Sequence, residues 1–174
     1  MENAGTSKTY IKRCYKRLKS WSAPLLGWVC VYVYDAHEAG WVAGNNSGLF
    51  TCELCGCDKV RYVHVMHNDK FYEDLYVGCV CAGVMEGDIL QARERERTIR
   101  NRANRKRNYL KRQWRVNSKG NQTLRYKGKD IVVFKLGTGF GVMYGNASES
   151  QYKGKKIENF LTAVHAAFDL ADPA

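Results

Sequence analysis

The sequence predicts an α+β protein: a zinc-centred, treble-clef-like unit, a long basic helix and a small antiparallel βββα module. Three observations point there. Five of the seven cysteines and two of the four histidines fall in residues 52–83, "CELCGCDKVRYVHVMHNDKFYEDLYVGCVCAG". Residues 93–115 hold eleven Lys or Arg against two Glu, a net +9 of the +11 carried by the whole chain. From residue 122 onward, short alternating runs separated by glycine turns take over from helical periodicity.

At 174 residues and 45% hydrophobic content, the chain has material for one compact domain or two small units. Its longest apolar run, "APLLGWVCVYVYDA", falls short of the roughly 18 residues that a membrane span needs. The N-terminal "MENAGTSKTYIKRCYKRLKS" lacks the apolar stretch of a secretion signal. An odd number of clustered cysteines suits bound metal in a reducing compartment better than a disulfide framework. The expected location is the cytoplasm, with no membrane partner.

Taken in order, "KTYIKRCYKRLKS" at residues 8–20 predicts a basic helix with Ile11, Tyr15 and Leu18 on one side. "GWVCVYVYDA" alternates as a strand, and residues 40–50 form a glycine-rich loop leading into the cysteines. "KVRYVHVM" and "KFYEDLYV" predict a hairpin around the turn His67-Asn68-Asp69-Lys70. Asp88, with Gln91 three residues on, predicts a helix start. Nothing breaks that helix before Trp114, and Ala92, Ile99, Ala103, Leu110 and Trp114 form its narrow apolar stripe. "QTLRYK", "DIVVFKL" and "FGVMYG" then predict a three-stranded meander, turned by Lys-Gly-Lys and Gly-Thr-Gly. A closing helix carries Ile157, Phe160, Leu161, Val164 and Phe168 on one face. The resulting divisions are 1–87, 88–116 and 117–174.

Cys52-x-x-Cys55-Gly56 is half of a zinc site, because two thiolates at this spacing close on one ion and the glycine permits a tight turn. Gly78-Cys79-Val80-Cys81 supplies the other half, although the Cys-x-Cys spacing strains a tetrahedral shell. The predicted ligands are Cys52, Cys55, Cys79 and Cys81, with His67 in reserve and Cys57 as a substitute. His64 and His67 lie three apart in a strand and face opposite ways, so at most one reaches a metal. Cys14 and Cys30 have no evident partner. A thioredoxin-like role needs a helix directly after Cys-x-x-Cys, where this chain has a glycine turn.

The pattern "CELCG…RYVHVMHN…VGCVCAG" followed by "W…NSKGN" resembles a group of bacterial and phage-associated proteins with a treble-clef-like zinc-binding centre. The resemblance covers roughly residues 28–136. It implies zinc held at Cys52, Cys55, Cys79 and Cys81, and it implies no activity.

Arg100, Arg102, Arg105, Lys106, Arg107, Lys111, Arg112 and Arg115 face no acid in the sequence between residue 97 and Asp130. Such a run repels itself unless an anion compensates, so it predicts nucleic-acid binding, DNA ahead of RNA. Asn101, Asn104 and Asn108 lie among these residues. The β-module adds Tyr126, Phe134, Phe140 and Tyr144 interleaved with Arg125, Lys127, Lys129 and Lys135, a composition able to stack bases. Two other functions fit. A treble-clef His-Asn-His nuclease would use His64 or His67 as base, but the following helix offers Glu86 and Asp88 rather than the histidine that a catalytic ion needs. A phage or mobile-element factor that modulates a host assembly would dock the same basic helix on an acidic protein. No catalytic residue is assigned.

Overall fold

The computed structural model describes residues 6–37 and 48–173. All but the last three positions of the loop read at 40–50 lie outside the described residues. The protein is mixed α+β, with four helices and antiparallel sheets among the described residues, and divides into two compact units, 1–101 and 102–174. The dividing line falls within the long helix.

In the first unit, α1 (Lys8–Ser20) begins where Ser7 Oγ accepts the Tyr10 amide, and it buries Cys14 and Leu18. Its six Lys and Arg side chains, Lys8, Lys12, Arg13, Lys16, Arg17 and Lys19, are all exposed. Strands β1 (Val29–Asp35), β2 (Tyr62–His67) and β3 (Leu75–Val77) form a sheet in chain order. The hairpin's second strand is much shorter than the sequence suggests. Asn68 explains this: buried, it donates to the Leu26 carbonyl and accepts the Lys70 amide, so residues after the turn satisfy loop bonds instead of ladder bonds.

Helix α2 (Cys79–Glu86) follows β3 directly, and α3 (Ile89–Leu110) begins with Asp88 Oδ1 accepting the Gln91 amide at 2.9 Å. Its 22 residues give a rod of about 33 Å, shorter than the run to Trp114 predicts. At its end the Lys111 and Arg112 amides bond three residues back rather than four. Trp114 has left the helix to meet the rings of Tyr109 and Phe160, at centroid distances of 6.2 and 5.5 Å. Tyr109, rather than Leu110, is the residue that α3 buries near its end.

In the second unit the meander has five strands rather than three: β4 (Arg115–Val116), β5 (Gln122–Tyr126), β6 (Lys129–Leu136), β7 (Gly139–Tyr144) and β8 (Ala147–Glu149). A two-stranded ribbon, β9 (Gln151–Tyr152) with β10 (Lys155–Lys156), precedes α4 (Phe160–Ala171). Val164 and Phe168 are buried as predicted, whereas Phe160 and Leu161 are exposed and alanines line most of the buried face. Those small residues let α4 lie close to the sheet over Ile131, Val133 and Val142.

The same unit overturns the expectation that the basic run lacks compensating acids. Asp169 accepts from Arg102 and Lys106, and Asp172 accepts from Arg105, Lys127 and the Tyr126 hydroxyl. Arg100 pairs with Glu96 at 2.6 Å within α3. Two acids at the C-terminal end of α4 stand in the unfavourable field of that helix, and the gathered cations offset it. Beside Arg105, the Asp172 carboxyl is held down to about 2. A carboxylate depressed in this way stabilises the fold above its unfolded value near 4, and the contribution is lost as pH falls toward 2. Acidification across that window should therefore cost the second unit about 1–2 kcal/mol, since half-exposed Arg105 and Lys127 are partly screened. Thermal melts between pH 5 and 2 should show a slope that Asp172→Asn flattens; an unchanged slope would count against this linkage.

Candidate metal centre

Three sets of bonds bring the cysteines together. Phe50 and Val60 exchange both backbone hydrogen bonds, pinching residues 51–59 into a knuckle. Within it the Gly56 amide bonds to the Cys52 carbonyl, and Gly56 takes φ +75°, a left-handed conformation that a side chain would strain. Glu53 ties the knuckle to β3: its amide donates to the Tyr76 carbonyl, and its carboxylate accepts the Tyr76 amide at 2.6 Å. The chain then leaves β3 for α2, whose first turn carries Cys81.

The sulfurs of Cys52, Cys55 and Cys81 consequently lie within 4.8 Å of one another, close enough to hold a metal ion. Cys52 and Cys81 are buried and Cys55 is half-buried. Tetrahedral zinc with bonds near 2.3 Å sets its sulfurs about 3.8 Å apart, so a modest contraction closes the set. Hydrogen bonding already favours thiolate at one member. A bond from Cys81, with help from the Gly78 amide at 3.4 Å, brings Cys52 down to about 5. Cys81, whose one S–H proton is shared between neighbouring Cys14 and Cys52, is pushed up correspondingly.

Cys79 is not in the cluster. The sequence places it just before a helix, but α2 starts at Cys79 itself, and residues two apart on a helix point about 200° away from each other. Cys79 turns toward Glu96 on α3 instead, and burial, reinforced by that carboxylate, pushes its thiol up to about 12. The helix removes the strain expected of Cys-x-Cys by separating the two thiols. His67 also lies elsewhere: it is exposed, with Asp74 at 2.7 Å and Asp69 at 3.1 Å, and these carboxylates raise its affinity for a proton. His64 is fully buried in β2, and neither ring nitrogen closes a normal hydrogen bond among the described residues. Burial lowers its proton affinity and holds it neutral. Cys57 is exposed and stands outside the cluster.

Sequence reasoning missed two residues of α1. The Tyr10 hydroxyl lies 3.0 Å from Cys81 Sγ and also meets Cys55. The Cys14 thiol, one helical turn on, is within hydrogen-bonding reach of Cys81 and Tyr10. The available signal was Cys14's place on the Ile11–Leu18 side of the helix, which marks it as buried.

The basic residues assigned to nucleic acid separate into two groups. Arg100, Arg102, Arg105 and Lys106 are engaged by acids, as described above. Arg107 bonds only to Asn104, and Lys111 and Arg115 are exposed with no ion pair among the described residues. Arg112, Gln113, Arg115 and Asn117 line a groove with Thr123, Arg125, Asp130 and Val132. Register explains it: Arg115 pairs with Thr123, Thr123 with Val132 and Arg125 with Asp130, so their side chains share the sheet face opposite the one that packs on α4. Phe134 continues that face over Gly141, where a Cβ would come 2.5 Å from the ring.

No family model, curated protein or solved structure matches the chain. No helix among the described residues is long and apolar enough to cross a membrane.

Proposed function

We propose that this protein binds nucleic acid through the open face of its second sheet, and that zinc at Cys52, Cys55 and Cys81 is structural. The observation that carries the first half is the groove around Arg112, Arg115 and Arg125. Its one acid, Asp130, lies 3.7 Å from Arg125 with both side chains exposed, a pair worth little in water. Arginines in a groove suit phosphates, Asn117, Gln113 and Thr123 suit base edges or sugars, and Phe134 beside them offers a ring for stacking. DNA stands ahead of RNA because the B-form major groove admits β-strands, whereas the A-form one is too deep and narrow for side chains to read. This moves the proposed contact surface from the length of α3 to the stretch just beyond it.

The metal half rests on donor chemistry. Three thiols from a Cys-x-x-Cys-Gly knuckle and the first turn of a helix, with a hairpin between, follow the order of elements in a treble clef. Sulfur donors at this spacing favour zinc over magnesium or calcium. The ion would tie a three-stranded sheet to α2, segments too small to hold one another by burial alone.

Binding to labelled duplex DNA, single strands and RNA should be measured from 50 to 200 mM salt. With about three to four phosphates neutralised, affinity should fall by about 40- to 150-fold over that range. Absence of binding at 50 mM salt would overturn the proposal.

A further inference from the structure

We infer that Cys14 is the fourth ligand of the metal centre, so that α1 is fastened to the first unit through the ion. The inference rests on the reading of Cys52, Cys55 and Cys81 as a zinc site. Three thiols leave one position of a tetrahedron, and α1 is the element that faces it. Tyr10 and Cys14, four residues apart, stand on one side of that helix, both turned to Cys81. Cys14 is 2% exposed, and Leu18, one turn further, is fully buried, so the orientation of α1 is set by packing. Cys14 is outside the set of sulfurs mutually within 4.8 Å, but it lies in the same buried cluster as Cys52 and Cys81 and its thiol meets that of Cys81. Ligation requires Cys14 to move inward with the other three sulfurs, toward the roughly 3.8 Å spacing of a tetrahedral zinc shell.

The neighbouring alternative is the Tyr10 hydroxyl. Zinc in proteins takes sulfur, imidazole nitrogen or carboxylate oxygen, and a thiol is the matching donor in a set already made of thiols. Tyr10 plays the complementary part, its O–H donating to a ligand sulfur as outer partners of metal ligands do. A four-thiolate zinc centre carries a net charge of −2. The six cations of α1 lie on the same short helix, and Arg13 is adjacent to Cys14 in sequence. The arrangement couples two properties that the sequence keeps apart, a basic helix and a cysteine cluster well downstream of it.

Cobalt in place of zinc tests the assignment on the whole 174-residue chain, because thiolate-to-cobalt absorption grows with each sulfur bound. Wild-type protein should show intensity per bound cobalt corresponding to four thiolates, a measurement that needs no variant. Cys14→Ser should lose about a quarter of it and weaken zinc retention against a chelator by more than about 100-fold, while Tyr10→Phe and Cys79→Ser keep the full intensity. A three-thiolate wild-type spectrum that Cys14→Ser leaves unchanged would sink this inference alone. So would loss of a ligand band in Tyr10→Phe. Failure of the wild-type chain to bind cobalt or zinc at all would remove the metal centre and this inference together.

Discussion

Cys81→Ser should release the metal and abolish cooperative melting of the first unit, whereas Cys79→Ser, two residues away in the same motif, should do neither. The contrast follows from the roughly 200° between the two positions on α2. Cys81 is 1% exposed and meets Cys52, Cys14 and Tyr10; Cys79 meets Glu96. Structural zinc supplies on the order of 10 kcal/mol to a small fold, comparable with the whole stability of a domain. Losing a direct ligand should weaken zinc binding by more than about 100-fold, since losing merely an outer partner costs up to that. Metal content of the purified variants and their thermal melts, with and without chelator, give the answer. Equal zinc in Cys81→Ser and wild type would show that the three thiols are simply buried cysteines. Zinc loss in Cys79→Ser would restore the ligand set read from the sequence.

Paired reversal of Arg115→Glu and Arg125→Glu should reduce nucleic-acid affinity at 100 mM salt by at least about 100-fold while leaving the melting temperature within a few degrees. Both side chains are exposed and face the groove, so the fold loses little. Binding loses two phosphate contacts and gains two repulsions. The slope of log affinity against log salt should become shallower by about 1.8, or 0.9 for each contact removed. Arg105→Gln is the informative counterpart. Its guanidinium serves Asp172 at 2.6 Å, so that change should lower stability and spare the salt slope. If Arg105→Gln flattens the slope and the groove variants do not, the binding surface lies along α3 and the sheet-face proposal falls.

Much of this architecture was legible from local pattern. The limits of α1 and the start of α3 agree with apolar spacing and with the Asp88 cap. The strands at 29–35, 62–67 and 129–136 fall where alternation puts them. The knuckle was legible too, because Cys-x-x-Cys-Gly encodes its own turn. What could not be read was anything depending on a partner far along the chain. Trp114 continued a helical stripe in sequence, yet aromatic packing with Tyr109 and Phe160 takes it out of the helix. Arg102, Arg105 and Lys106 had no nearby acid in sequence, yet Asp169 and Asp172, more than sixty residues on, meet them.

By itself, then, the sequence determined the kinds of element, the presence of a thiol cluster and the concentration of positive charge, since each follows from residues within a few turns of one another. The tertiary structure alone decided which sulfurs converge and which cations remain available. Those outcomes depend on where a helix begins relative to a cysteine, and on which distant segment returns to cover a given face. Cys79 and Arg105 are chemically the same as Cys81 and Arg115. They differ in what the fold sets opposite them.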